Sequence, residues 1–432
     1  MPSTKLKTPA KRTDSVIDRE IRQLLLCTPS IKITEAKEHL QQLKNMKKGE
    51  KYEMKEMLEK EFKRIRDRYT YTRYAMKDRV NKWEAQIGPL AIEDFTELLK
   101  NSNLTIMTAF PERVTPRFME SWLSQYLFGQ KDYARKIALA FYVHNLRTAE
   151  DTPSLPRTNL LVHGPSGSGK TYGAQKMAEF LGMPFCVINC NSLVQEGIIG
   201  NSIGNYFTTM YRKHGNAMEH AVIIFDEFDK LLEKGEFNDR ILNELLNIID
   251  DNNSISFNKS DLTGCYEKVT LPTNKMLFIF TGVFRRLEDI IKKRLGTKQI
   301  GFEQGGASVL TGDYHQYATD EDFRKLFNRP ELSGRIQQYA CVKELQTEEM
   351  ARLLLKSKES PVIGFEKYFQ TREINFSMTE EGAMALALEA SKRHLGVRGL
   401  KSLMFNILSD DMFLLNRKKI IMDDAYVEKK LA

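Results

Sequence analysis

Cysteine is scarce in this chain, and the few present show no pairing pattern. Cys27, Cys186, Cys190, Cys265 and Cys341 include no CxxC pair, which excludes a zinc module and a secreted disulfide framework. Cys186 and Cys190 lie four apart in an apolar run, as buried structural thiols do. Long apolar runs are missing as well. No segment reaches the roughly 18 to 20 apolar residues of a membrane span, and "MPSTKLKTPAKRTD" at the amino terminus has no apolar signal-peptide core. The expectation is a soluble cytoplasmic protein without a membrane partner. No internal repeat is apparent. What remains is a chain of 432 residues, 41% hydrophobic and 28% charged, long enough for two or three domains with cores of their own.

Positive charge is concentrated at one end. Residues 1 to 90 carry 22 Lys and Arg against 13 Asp and Glu, and the remainder carries 43 against 44. Residues 1 to 13 are polar, basic and without apolar periodicity, so a disordered tail is expected. Residues 14 to 114 read as a helical region. Leu58, Phe62, Ile65, Tyr69, Met76, Val80, Trp83 and Ile87 fall mostly at three- and four-residue steps, which predicts one stripe of a long helix over residues 51 to 87. Within it, "KRIRDRYTYTRY" interleaves basic residues with tyrosines, a pattern that can grip phosphates and stack bases. A solvated helix face whose tyrosines pack on a neighbour accounts for the same residues.

Residues 115 to 344 change to short apolar runs alternating with helical patterns. "NLLVHG", "FCVINC", "AVIIFDE" and "KMLFIFTG" suit strands buried on both faces of a parallel sheet. The fold class expected is α/β, a P-loop domain with a parallel sheet, followed by a small helical domain over residues 345 to 432. Gly164, Pro165, Ser166, Gly167, Ser168, Gly169, Lys170 and Thr171 match GxxxxGK[ST] at every defined position. Such glycines turn backbone N–H groups onto phosphate oxygens, the lysine neutralises the β and γ charges, and the threonine hydroxyl ligates Mg2+. In "AVIIFDEFDK", an apolar strand delivers Asp226 and Glu227 to its C-terminal end, where ligands sit in such sheets. Asp226 is the expected metal partner and Glu227 the group that polarises water, so the pair points to hydrolysis of ATP.

In sequence order with these motifs stand others that resemble the AAA+ ATPases, specifically the ClpX-type protein unfoldases of the Clp/HslU clade. "YLFGQKDYARKIALAFYVHN" resembles the segment before the P-loop in that family, which implies that Phe128, Gly129 and Gln130 lie near the adenine. "NKMLFIFTGVFRRLEDIIKKRLGTKQIGF" is similar to the sensor-1 strand and the segment after it, with Thr281 as the sensor-1 group. "FNRPELSGRI" resembles the arginine-finger segment, in which Arg335 reaches a neighbouring subunit's nucleotide. "HLGVRGLKSL" resembles the start of the sensor-2 helix, with Arg398 on the same nucleotide. The resemblance spans roughly residues 115 to 432 and implies a homo-oligomeric ring, a hexamer in the family, that acts on protein substrates.

The chain also departs from that family. Its cysteines cannot supply the usual N-terminal zinc domain, and the basic helical region stands in that place. Where the family's pore loop carries an aromatic residue, this chain reads Gly197, Ile198, Ile199, Gly200. Ile300, Gly301 and Phe302 spell the IGF of the loop that docks on a ClpP-like peptidase. The basic RKH loop is not recognisable between Asp250 and Asn274, and the Arg212, Lys213, His214 triplet stands elsewhere. Two functions stay open: a ring that unfolds or remodels proteins, with or without a peptidase partner, and a nucleic-acid-associated AAA+ motor of a mobile element or defence system that uses the basic N-terminal region. Docking of a protein partner on the N-terminal helices is a third use of that region.

Overall fold

The computed structural model describes residues 16–431, apart from 67–71, 101, 103, 149–154, 194–201, 234–235, 251–253, 261–265, 298–313 and 394. The expected disordered tail therefore lies outside the described residues. The chain divides into two units after Val114.

The first unit is helical: α1 (Val16–Cys27), α2 (Ile33–Leu43), α3 (Lys48–Arg66), α4 (Arg73–Gln86), α5 (Ile92–Lys100) and α6 (Ile106–Ala109). The single long helix predicted over residues 51 to 87 is two helices. Thr72 is extended (φ −75°, ψ 156°) and its hydroxyl accepts the Ala75 N–H at 3.2 Å, so a new helix starts there with its own N-cap. The apolar stripe survives the break, because Met54 and Leu58 on α3 and Met76, Val80 and Trp83 on α4 are all buried. Arg79 ties the layer together. Its guanidinium donates to the carbonyls of Leu25, Leu26, Thr28 and Ile31, which satisfies the orphan end of α1 and the turn after it.

The second unit begins with α7 (Pro116–Leu123) and α8 (Lys131–Thr148), and then alternates strand and helix. β1 (Leu160–His163) leads into α9 (Lys170–Leu181), and β2 (Phe185–Asn189) into α10 (Ile203–His214). β3 (Val222–Asp226) is followed by α11 (Glu236–Ile248), and then by β4 (Ser254–Ser260) and β5 (Tyr266–Pro272). β6 (Leu277–Gly282), α12 (Arg285–Thr297), α13 (Asp320–Phe327), α14 (Pro330–Arg335) and β7 (Gln338–Cys341) complete this part.

Five of these strands form one parallel sheet in the order β2-β3-β6-β1-β7. The four apolar runs are thus strands of one sheet, as expected. Three are buried on both faces, whereas β2 is an edge strand whose Phe185, Cys186 and Val187 are only half-buried. β4 and β5 pair antiparallel as a hairpin, within the stretch from Asp250 to Asn274 that shows no basic RKH loop. The triplet Arg212, Lys213 and His214 is the last turn of α10, where positive charge suits the helix's C-terminal end.

A helical subdomain follows: α15 (Thr347–Lys356), α16 (Pro361–Gln370), β8 (Asn375–Met378), α17 (Glu380–Lys392), α18 (Gly396–Leu414), β9 (Lys419–Met422) and α19 (Asp424–Leu431). Its apolar core includes Leu386, Leu400, Met404 and Leu408. Alongside the helices that the sequence announces, β8 and β9 form a short parallel ladder. No described helix is long and apolar enough to cross a membrane.

Replacing Arg79 by alanine strips four carbonyls of a charged donor, an expected loss of about 2 to 3 kcal/mol. Hydrogen exchange in the peptides that carry α1 and α2 should quicken accordingly, while the sheet of the second unit keeps its protection. Unchanged exchange in α1 would show that water replaces the guanidinium at no cost.

Candidate functional site

The loop between β1 and α9 owes its shape to glycine. Gly164, Gly167 and Gly169 have φ of 142°, 75° and 91°, values that L side chains rarely adopt. Gly164 is also pressed on β7's exit: a Cβ there would stand 2.0 Å from the Val342 carbonyl oxygen. The loop closes on itself through Ser168, whose hydroxyl donates to the Pro165 carbonyl at 2.7 Å. Lys170 folds back, with Nζ 3.0 Å from the Gly164 carbonyl oxygen and 2.6 Å from that of Pro165. Burial pushes its pKa down to about 8, against the raising influence of Asp226 and Asp229; Arg398 adds to the lowering.

The strand ends bring the acidic groups to this loop. Asp226 closes β3, and its Oδ1 accepts the Thr171 hydroxyl at 2.9 Å and the Thr281 hydroxyl at 2.6 Å. The two hydroxyl oxygens are 3.3 Å apart. The next residue, Glu227, sits at φ 55°, a left-handed position that a non-glycine residue occupies only where its surroundings impose it. Thr171 and Asp226 together offer hard oxygen donors beside a phosphate-binding loop, a set that fits Mg2+, which takes few protein ligands and keeps water and phosphate for the rest.

These groups face a cavity of about 580 Å³, large enough for a nucleotide. Its lining joins Phe128, Gln130, Ser166, Gly167, Ser168, Gly169, Lys170, Thr171, Asp226, Glu227 and, from the helical subdomain, Arg398. Thr281 is wholly buried and touches the site through Asp226. Gln130 is on the wall, but its amide is committed elsewhere: Nε2 donates to the Lys343 carbonyl at 2.8 Å and Oε1 accepts the Lys343 N–H at 2.9 Å. Gly129 (φ 69°) leaves room for the Glu349 carboxylate, which a Cβ would overlap.

Arg335 is not at this cavity. It ends α14, bonds the Asp250 carboxylate and donates to the Glu331 carbonyl at 3.1 Å. Gly197 to Gly200 and Ile300 to Phe302, the two loop segments singled out in the sequence, lie outside the described residues. So do residues 67–71 of the basic tyrosine-rich stretch; Tyr74, at its end, is 83% exposed rather than packed on a neighbour. Missed in the sequence were Tyr126, Tyr172, Asp229 and Glu359, which also line the cavity. Asp229 alone left a signal, as the third acidic group of "DEFD".

A parallel sheet with a phosphate loop after β1 and, beyond the intervening β6, a hydroxyl-bonded aspartate at the end of β3 defines a P-loop nucleotide-binding protein. A family model described as "ATPase family associated with various cellular activities (AAA)" matches residues 160–297. The "ATP-dependent Clp protease ATP-binding subunit ClpX" of Borrelia duttonii (strain Ly) is 29% identical over 325 residues, which cover 71% of this chain and 76% of that protein. The protein of the same name from Treponema denticola is 28% identical over 340 residues, 72% of this chain and 81% of its own length. The chain is an ATPase with an AAA domain over residues 160–297, and it resembles the ClpX type along most of its length.

Because the protein alone holds Lys170 at a pKa of about 8, phosphate binding must restore its proton above that pH. Nucleotide affinity should therefore fall as pH rises past about 8, with proton uptake on binding at about pH 9 and none from this group at about pH 7. Calorimetry in buffers of different ionisation enthalpy reads the uptake. Equal proton counts at both pH values would mean that Lys170 stays charged throughout.

Proposed function

We propose that the chain works as an ATP-driven ring that unfolds or remodels protein substrates. The observation that carries this reading is the meeting of phosphate loop, acidic strand end and Arg398 on one cavity, in a chain similar to ClpX along most of its length. Residues 115 to 344 serve as the large ATPase domain and residues 345 to 432 as the small one. Backbone N–H groups of the loop and Lys170 take the β- and γ-phosphates. Thr171 and Asp226 would hold Mg2+, which supplies charge neutralisation on the phosphate oxygens. Thr281 fixes the Asp226 carboxylate, Glu227 orients and polarises the attacking water, and Arg398 reports the nucleotide to the helical subdomain.

Arg335 acts in trans, on the nucleotide of the next subunit in a hexameric ring. Its own chain offers it Asp250 in place of phosphate, so an assembled neighbour would have to draw it out. Gly197 to Gly200 form the loop that pushes on the substrate, with Ile198 in place of a flat ring. Ile300, Gly301 and Phe302 dock on a ClpP-like peptidase. The basic surplus of the first 90 residues and the exposed Tyr74 support a second reading, in which that region binds nucleic acid. Steep loss of such binding with rising salt would distinguish it from docking of a protein.

Arg335→Ala is expected to lower turnover by about 10³ or more while nucleotide binding holds. Glu227→Gln should bind ATP and stall. Mixed together, the two variants should regain activity that neither has alone, because some interfaces pair an intact Glu227 with a neighbour's intact Arg335. Mixtures as inactive as their parts would remove the ring reading. Proteins retained by the stalled Glu227→Gln chain only with ATP identify clients; retained nucleic acid without protein would favour the second reading.

A further inference from the structure

The cavity lies between α9 and the helical subdomain, and a three-residue contact at its rim joins the two. Tyr172 follows Thr171 on α9 and donates its hydroxyl to Glu359 Oε2 at 2.7 Å. Lys176, one turn on, places Nζ 2.8 Å from Glu359 Oε1. Its ammonium is also 2.8 Å from Glu179 and stands 5.6 Å from the centre of the Tyr172 ring. Each oxygen of Glu359 is thus engaged by the helix that starts at the phosphate loop.

The turn that carries Glu359 is itself braced. The Glu359 N–H donates to Ser357 Oγ at 3.3 Å, and Ser360 Oγ accepts the Val362 N–H at 3.1 Å while donating to the Leu354 carbonyl. Isolated surface ion pairs contribute little. Here the Lys176 side chain is only 18% exposed, a neutral hydroxyl donates to the same carboxylate, and both donors project from one rigid helix at a four-residue spacing. Against a burial that would raise it, the bonds from Lys176 and Tyr172 hold the Glu359 carboxyl below its ordinary range.

We propose that Tyr172, Lys176 and Glu359 form a latch that keeps the helical subdomain closed over bound nucleotide, so that they set nucleotide affinity rather than the rate of cleavage. The proposal rests on this cavity being the ATP site. Apparent affinity scales with the fraction of molecules in the binding-competent, closed arrangement. The latch groups are spent on one another, whereas the phosphate side of the cavity is served by Lys170, Asp226 and Glu227. They are positioning residues.

The test is a double-mutant cycle on the full chain with Tyr172→Phe, Glu359→Gln and the pair, and with Lys176→Met as a further single change, read by binding of a fluorescent ATP analogue and by steady-state hydrolysis. Each single change should weaken binding and raise KM by about five- to tenfold, with kcat within about twofold. The double variant should be no worse than Glu359→Gln alone, which already removes the carboxylate that Tyr172 and Lys176 both engage. A role confined to stability would instead lower the melting temperature without nucleotide and leave KM where it was, which overturns the latch. So would a KM effect of Glu359→Gln that neither Tyr172→Phe nor Lys176→Met shares, which would place the carboxylate directly on the nucleotide, or additive effects, or a matching loss in kcat. If the unaltered chain binds no nucleotide, the ATP reading falls together with the latch; if it binds and the variants match it, the latch alone falls.

Discussion

One carboxylate oxygen holds the catalytic end of the sheet together. Asp226 Oδ1 accepts hydroxyls from Thr171, at the start of the helix after β1, and from Thr281, on β6, while itself closing β3. Three elements that are far apart in sequence are thereby fixed to one atom, and the position of Glu227 follows. Asp226 itself is half-buried at the cavity wall, but its partner Thr281 is wholly buried, and a buried hydroxyl left without its acceptor costs more than the bond contributes. The strand cores beneath it are built to resist movement: Phe225 and Phe280 stack with centroids 5.4 Å apart, and Phe228 lies 4.7 Å from Phe280.

Much of this was legible in the sequence, and the reasons are physical. The phosphate loop needs glycines at left-handed positions, so its motif survives in any context that folds. Strands buried on both faces must be continuously apolar, which made β1, β3 and β6 plain; β2 was equally apolar although it lies at the sheet edge. β7 escaped notice because "QYAC" is only four residues long and half polar, and it is a strand by virtue of pairing with β1. The β4–β5 hairpin carries a period-two pattern, with Ile255 and Phe257 buried and Ser254 and Ser256 exposed in alternation, but the polar residues around it hid the strands. β8 and β9 are likewise too short for alternation to declare itself.

Other features have no one-dimensional signature. The hydrophobic stripe of the N-terminal helices runs on across Thr72 as if the helix were unbroken, since α3 and α4 bury the same kind of face. Gln130 was placed near the base by resemblance, and it does line the cavity, yet its amide is occupied by the backbone of Lys343, more than two hundred residues away. Tyr172 and Glu359 are ordinary surface residue types, and only the return of the chain from the helical subdomain brings them together.

That return path has a mechanical meaning. After β7 the chain passes with the Val342 carbonyl against Gly164 and then through the two-point grip of Gln130 on Lys343, before reaching α15. The crossover is therefore not a slack tether. The crossover touches the sheet at the residue that opens the phosphate loop, so a displacement of either would press on the other. Gly164 acts as the fulcrum of a short lever, and even an alanine there would wedge it apart.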